Sequence, residues 1–205
     1  MIPVRPEPEP ENFELRVREP GFKFLREVPE PTGSQWKGRE YWQRSLPNMR
    51  KAYRCICAYC AQWIPYGTGN HSVDHFLPKN EYPEIAYEWS NFRYVSSRFN
   101  ARKGTNRILD PFQIKEGWFV LNFLSFLIRP ESALPPDTKK AVLNTIRILR
   151  LNEDEDLVAE RQSWFEDFRT GQISFSFLKK KRPFIAYELE RQGFGAVMKG
   201  REAPE

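Results

Sequence analysis

With 205 residues, 40% of them hydrophobic and 29% charged, the chain has apolar area for one folded domain with an appendage, which excludes a disordered polymer and a long multidomain array. Lys and Arg number 32 against 27 Asp and Glu, a net charge of +5, and no apolar run approaches the roughly 18 residues of a membrane span, so no membrane role is expected. The clustered Cys55, Cys57 and Cys60 do not make a secreted disulfide framework and no apolar leader follows Met1; the expected compartment is the cytoplasm.

Residues 1–34 open with alternating Pro and Glu at 6–11, a pattern that lacks amide donors at every second position and cannot hold a helix. This segment reads as an extended arm, with Phe13, Leu15, Val17, Phe22, Phe24 and Leu25 laid against a folded body or a partner. Aromatic and basic residues recur over 36–54, and Pro47 near a first turn predicts a helix over 47–54. Residues 55–64 read as a strand and turn, 65–70 as a loop, and 71–76 as a strand. A short helix over 97–104 would end at Gly104.

The almost wholly apolar run 118–128 predicts one buried element, strand or helix, which periodicity alone does not decide. Pro135-Pro136-Asp137 should start an amphipathic helix with Val142, Ile146 and Leu149 inward. Asn152 should open a second through Leu157, Arg161, Trp164 and Phe168. A third is expected over 173–191, interrupted near Pro183.

The chemistry-bearing residues gather between these elements. Asp74 offers a hard oxygen ligand and His75 an imidazole that accepts a proton near neutral pH. On a strand their side chains leave opposite faces, so the chain must bend there. The stretch 92–107 carries Arg93, Arg98, Arg102, Lys103 and Arg107 with no acidic residue, and this local excess favours a polyanionic partner such as nucleic acid.

The order Cys57-x2-Cys60, Val73-Asp74-His75, Asn91, and Asn100-x2-Lys103-Gly104 resembles the HNH endonuclease family and its ββα-metal fold over about residues 57–104. The resemblance implies roles. His75 would be the general base for the attacking water, and Asp74 and Asn100 would be the protein ligands of one Mg2+ or Mn2+. Asn91 would orient the loop and the histidine, and Lys103, with Arg102, would hold phosphate. The flanking runs Asp74-His75-Phe76-Leu77-Pro78-Lys79, Tyr82-Pro83-Glu84, Tyr87-Glu88-Trp89-Ser90-Asn91 and Leu151-Asn152, with the Pro/Glu arm, look like the small HNH proteins of bacterial anti-phage systems of the Septu type and their retron-associated relatives. That likeness implies a partner ATPase that restrains the nuclease, docked on the arm or on the helical C-terminal segment.

One departure from the family pattern stands out. Where many members carry a second Cys-x2-Cys, this chain has Ser96 and Phe99, so a four-thiolate zinc site cannot form. Cys57 and Cys60, with Cys55 or His71 as makeshift extra ligands, remain zinc candidates, but small buried residues on the first strand are the expected fate of these cysteines. Packing around Phe76, Trp89 and Phe99 should then do what zinc does elsewhere.

Taken singly, each residue has a plainer use: a core histidine, a turn asparagine, a solvated basic face. His71 is expected to be such a bystander. Taken together they predict an α+β protein with an extended arm at 1–44, a ββα-metal core at 45–115 and a helical segment at 116–205. The expected activity is hydrolysis of DNA with little sequence preference, the alternative being a catalytically silent nucleic-acid-binding or structural subunit that keeps the fold.

Overall fold

Phe13, Val17, Gly21 and Phe24 recur at helical spacing, and all four are buried. The segment expected to be an extended arm is accordingly helical: a π-helical turn at Glu14–Arg18 runs into α1 (Glu19–Glu27). The prolines at 6, 8 and 10 lie before the helix, and Pro20 is the second residue of α1, at its junction with the π-helical turn. Arg18 fastens this helix by pairing with Glu9, Glu14 and Glu88 and lies over the Phe13 ring.

Residues 1–194 are described in this computed structural model. They divide into two units, one of Arg5–Cys57 with Ile64–Thr105, the other of Met1–Val4 with Ala58–Trp63 and the residues from Asn106 onward. The elements are mixed helix and strand, so the protein is α+β, with two two-stranded antiparallel sheets among the described residues.

In the first unit α2 (Leu46–Ala52) takes the place expected for it. No strand spans 55–64. The chain turns instead, with Arg54 and Cys55 at positive φ, and Ile64 N–H donates to Cys55 O at 2.7 Å. β1 (His71–His75) pairs antiparallel with β2 (Phe92–Ser96), His71 opposite Ser96 and His75 opposite Phe92. Burial explains β2: Phe92 to Val95 are all buried, so this strand has no solvent face. α3 (Ser97–Lys103) follows directly and ends at Gly104, whose φ of 51° suits glycine.

An aromatic cluster packs against this frame. Phe13 meets Trp89 and Phe92 edge-on at 5.6 and 5.8 Å, and Trp36, Trp42 and Tyr87 lie mutually within 6.3 Å. Such rings contribute beyond the area they bury, each pair by about 0.5–1.5 kcal/mol. Trp89 and Phe99 are buried as the sequence predicts.

In the second unit the apolar run 118–128 is not one element. β3 (Phe119–Leu121) and β4 (Ile128–Pro130) form a hairpin, and Leu124 at its tip is 96% exposed. Asn122 drives the turn, because its side-chain oxygen accepts from the amides of Leu124 and Ser125 at 2.8 and 3.0 Å. Four helices follow: α4 (Pro136–Ile148), α5 (Glu155–Arg169), α6 (Phe175–Lys181) and α7 (Pro183–Arg191). Val142, Ile146 and Leu149 point inward as predicted. Asp154, not Asn152, caps α5, its carboxylate accepting from Leu157 N–H. Asn152 instead bridges both backbone groups of Ile128 at 2.8 Å. The break between α6 and α7 comes at Arg182, just before Pro183. Among the described residues no helix is long and apolar enough to cross a membrane.

Candidate active site

β1 delivers two of the predicted side chains and α3 two more. Asp74 and His75 are adjacent on a strand, yet both line one cleft of about 360 Å³, together with Ser72, Lys79, Asn100 and Trp42. β1 ends at His75, and just beyond it Phe76 N–H still donates to Asn91 O at 2.9 Å, in register with the β1–β2 pairing.

The His75 ring is held on three sides. Its Nε2 lies 2.8 Å from Ala86 O, and since a carbonyl only accepts, Nε2 carries the proton and the lone pair is on Nδ1. Trp42 meets the ring edge-on at 4.7 Å and Phe92 at 5.4 Å. Burial disfavours the imidazolium and brings the pKa down to about 4; the Ala86 carbonyl opposes this, while the charges of Lys79 and Lys103 add to it. The imidazole is therefore neutral at neutral pH.

Asp74 is 3% exposed and its carboxylate lies 3.3 and 3.2 Å from Lys103 Nζ through its two oxygens. Lys103, 0% exposed, also donates to His75 O at 2.9 Å and Gly104 O at 3.3 Å. The Lys103 ammonium, expected to meet phosphate, lies in the interior, where it balances Asp74 and joins the end of α3 to the end of β1.

Asn100 donates from Nδ2 to Ser72 Oγ at 2.7 Å and Val73 O at 3.3 Å, which leaves Oδ1 as its acceptor atom. A carboxylate and an amide oxygen are hard donors, suited to a divalent cation that completes its shell with water and phosphate oxygens. Among the described residues no three His, Cys, Asp or Glu side chains converge as a metal cluster. Cys57, in the first unit, accepts from Ser96 N–H at 3.5 Å, and Cys60 belongs to the second unit.

Asn91 is buried and fully occupied. Its Oδ1 accepts from Leu77 N–H at 2.8 Å, and its Nδ2 donates to Leu77 O at 3.0 Å and Ile85 O at 3.4 Å. It ties the loop after β1 to the turn that presents Ala86 O to His75, so its effect on the imidazole is positional. His71 is also structural: its ring bonds the Tyr94 hydroxyl and, at 2.9 Å, Pro65 O.

The predicted basic face divides. Arg93, expected at phosphate, is 4% exposed, with Nη1 donating to Ser90 O at 2.8 Å and Phe92 O at 2.9 Å. Arg98 is exposed and Arg102 half-buried over the Phe99 ring at 5.4 Å. Arg107 is exposed on the second unit. No local pattern singles out Trp42 as a cleft residue, because its partners are distant in the chain; Lys79 stands at the end of the Asp74-His75 motif, where local pattern attaches no role to it.

No family model matches the chain. The Septu protein PtuB of Bacillus thuringiensis is 31% identical over 84 residues, which is 41% of this chain and 31% of that protein. The likeness is local. It spans about a third of the relative's length.

Proposed function

We propose that this chain is a metal-dependent endonuclease of the HNH type, with a ββα-metal core built from β1, β2 and α3, that hydrolyses DNA phosphodiester bonds with little sequence preference. The observation that carries the reading is that Asp74, His75 and Asn100 line one open cleft, with His75 neutral and its proton fixed on Nε2. His75 takes the proton of the attacking water at Nδ1. Asp74 and Asn100 would hold Mg2+ or Mn2+, which supplies charge stabilisation to the phosphate and the leaving oxygen when bound. Lys103 keeps the Asp74 carboxylate in place, and Asn91 keeps the Ala86 carbonyl against the imidazole. The local likeness to a Septu protein supports a role in anti-phage defence, as the nuclease component of a complex restrained by a partner ATPase.

The Asp74–Lys103 pair favours a second reading. An ammonium already balances the carboxylate, as in a subunit that keeps the fold and binds nucleic acid without cutting it. Supercoiled plasmid incubated with Mg2+, Mn2+ or EDTA, with and without co-purified proteins, separates the two. Nicked or linear product that requires the metal is expected, and no cleavage by the wild type under any of these conditions sinks the enzyme reading.

A further inference from the structure

Lys79 shares the cleft with His75 but has no part in the chemistry assigned above. Its ammonium lies 5.5 Å from the Trp36 ring centroid and 5.6 Å from that of Trp42, the same indole that meets His75 edge-on. Among the described residues no carboxylate is within ion-pair distance of it; Glu40 acts on it only through space. Burial lowers the Lys79 pKa, and the Lys79 charge in turn disfavours protonation of His75, so the two groups share one field.

Aromatic faces hold a cation without neutralising it. A carboxylate partner would cancel the charge, as Asp74 does for Lys103. Lys79 is thus partly desolvated, aimed by two indoles and uncompensated, a state that costs free energy until an anion arrives. The other cations of the motif are engaged elsewhere: Lys103 is buried on Asp74 and Arg93 on backbone carbonyls.

We propose that Lys79 is the phosphate-binding cation of the cleft, taking a non-bridging oxygen of a nucleic-acid phosphodiester beside His75, with Trp36 and Trp42 as its positioning residues. This rests on the phosphodiester reading and adds the anion subsite to it. The contact replaces the one expected of Lys103. It brings a single positive charge to one phosphate, so it contributes to binding of every sequence alike.

The test uses the full chain and a short fluorescent DNA duplex in EDTA, so that binding is read with cleavage off, across a salt series. One phosphate contact contributes about 0.9 to the slope of log affinity against log salt. Lys79→Met is expected to make the slope shallower by about 1, and Lys79→Arg to keep it. An unchanged slope in Lys79→Met, or no retention of the duplex by the wild type at the lowest salt, overturns the proposal. A second measurement needs no variant: amine-reactive labelling of the wild type, mapped by mass spectrometry, should show Lys79 protected by the duplex, and equal labelling with and without DNA overturns it. Cleavage is assayed separately with Mg2+. Lys79-dependent binding without cleavage supports the subsite while the nuclease reading fails, and cleavage with Lys79-independent binding does the reverse.

Discussion

Replacing Lys103 by Met isolates the interior charge balance of the site. The substitution keeps the length of an unbranched side chain and removes the ammonium, so Asp74, 3% exposed, is left as a buried carboxylate without its cation. Breaking a buried ion pair in this way costs about 3–5 kcal/mol. The carbonyls of His75 and Gly104 lose a donor as well, so the upper part of that range is expected. For a chain of this size the loss lowers the unfolding midpoint by roughly 6–20 °C. Adding Asp74→Asn should return part of the stability, because the orphaned charge goes with it, and a double-mutant cycle measures the coupling at about 0.5–3 kcal/mol. The assay is urea unfolding in EDTA followed by tryptophan fluorescence. A loss below about 1 kcal/mol in Lys103→Met, with an unchanged denaturant slope, would refute the reasoning, since it is the range of a solvated surface pair.

Three further outcomes are expected. Phe99→Ala should cost about 3–5 kcal/mol by thermal unfolding, because Phe99 is 2% exposed on α3; an active variant with an unchanged midpoint contradicts this. Gly21→Ala should destabilise the first unit, since an added Cβ would land on the Tyr87 ring; a variant as stable as the wild type shows that α1 does not lie on Tyr87. His75 has a folded pKa of about 4, below the unfolded value of about 6.5, so the unfolded chain takes up the proton first. Its contribution, about 3 kcal/mol at most, is fully present above pH 6.5 and lost as pH falls to 4. His75→Phe should flatten the stability profile in that window, and an unchanged profile counts against a buried neutral imidazole.

The parts of the site that were legible in the sequence are those encoded at short range. Val73-Asp74-His75 sits on a strand, Asn100 and Lys103 share a short helix, and Gly104 stops it; local pattern and a single positive φ are enough for each. The N-terminal helix was missed because the Pro/Glu repeat masked the spacing of Phe13, Val17, Gly21 and Phe24, which begins only after the last proline of the repeat. The hairpin of β3 and β4 escapes local pattern for a different reason. Its apolar residues do not distinguish strand from helix, and the deciding group is Asn122, whose side chain makes the turn. Local pattern points to Lys103 as the phosphate cation and attaches no role to Lys79, because both are simply cations near the motif. What separates them is tertiary: Lys103 on α3 faces Asp74 on β1, whereas Lys79 faces two indoles contributed by residues 36 and 42.

The central claim is that a neutral His75 activates water for phosphodiester hydrolysis, and chemical rescue tests it most directly. His75→Gly, assayed on plasmid DNA with Mg2+ under single-turnover conditions, is expected to lose cleavage by about 10²–10⁴-fold and to regain part of it when imidazole is added to the buffer. A His75→Gly variant that cuts at the wild-type rate without imidazole would contradict the account.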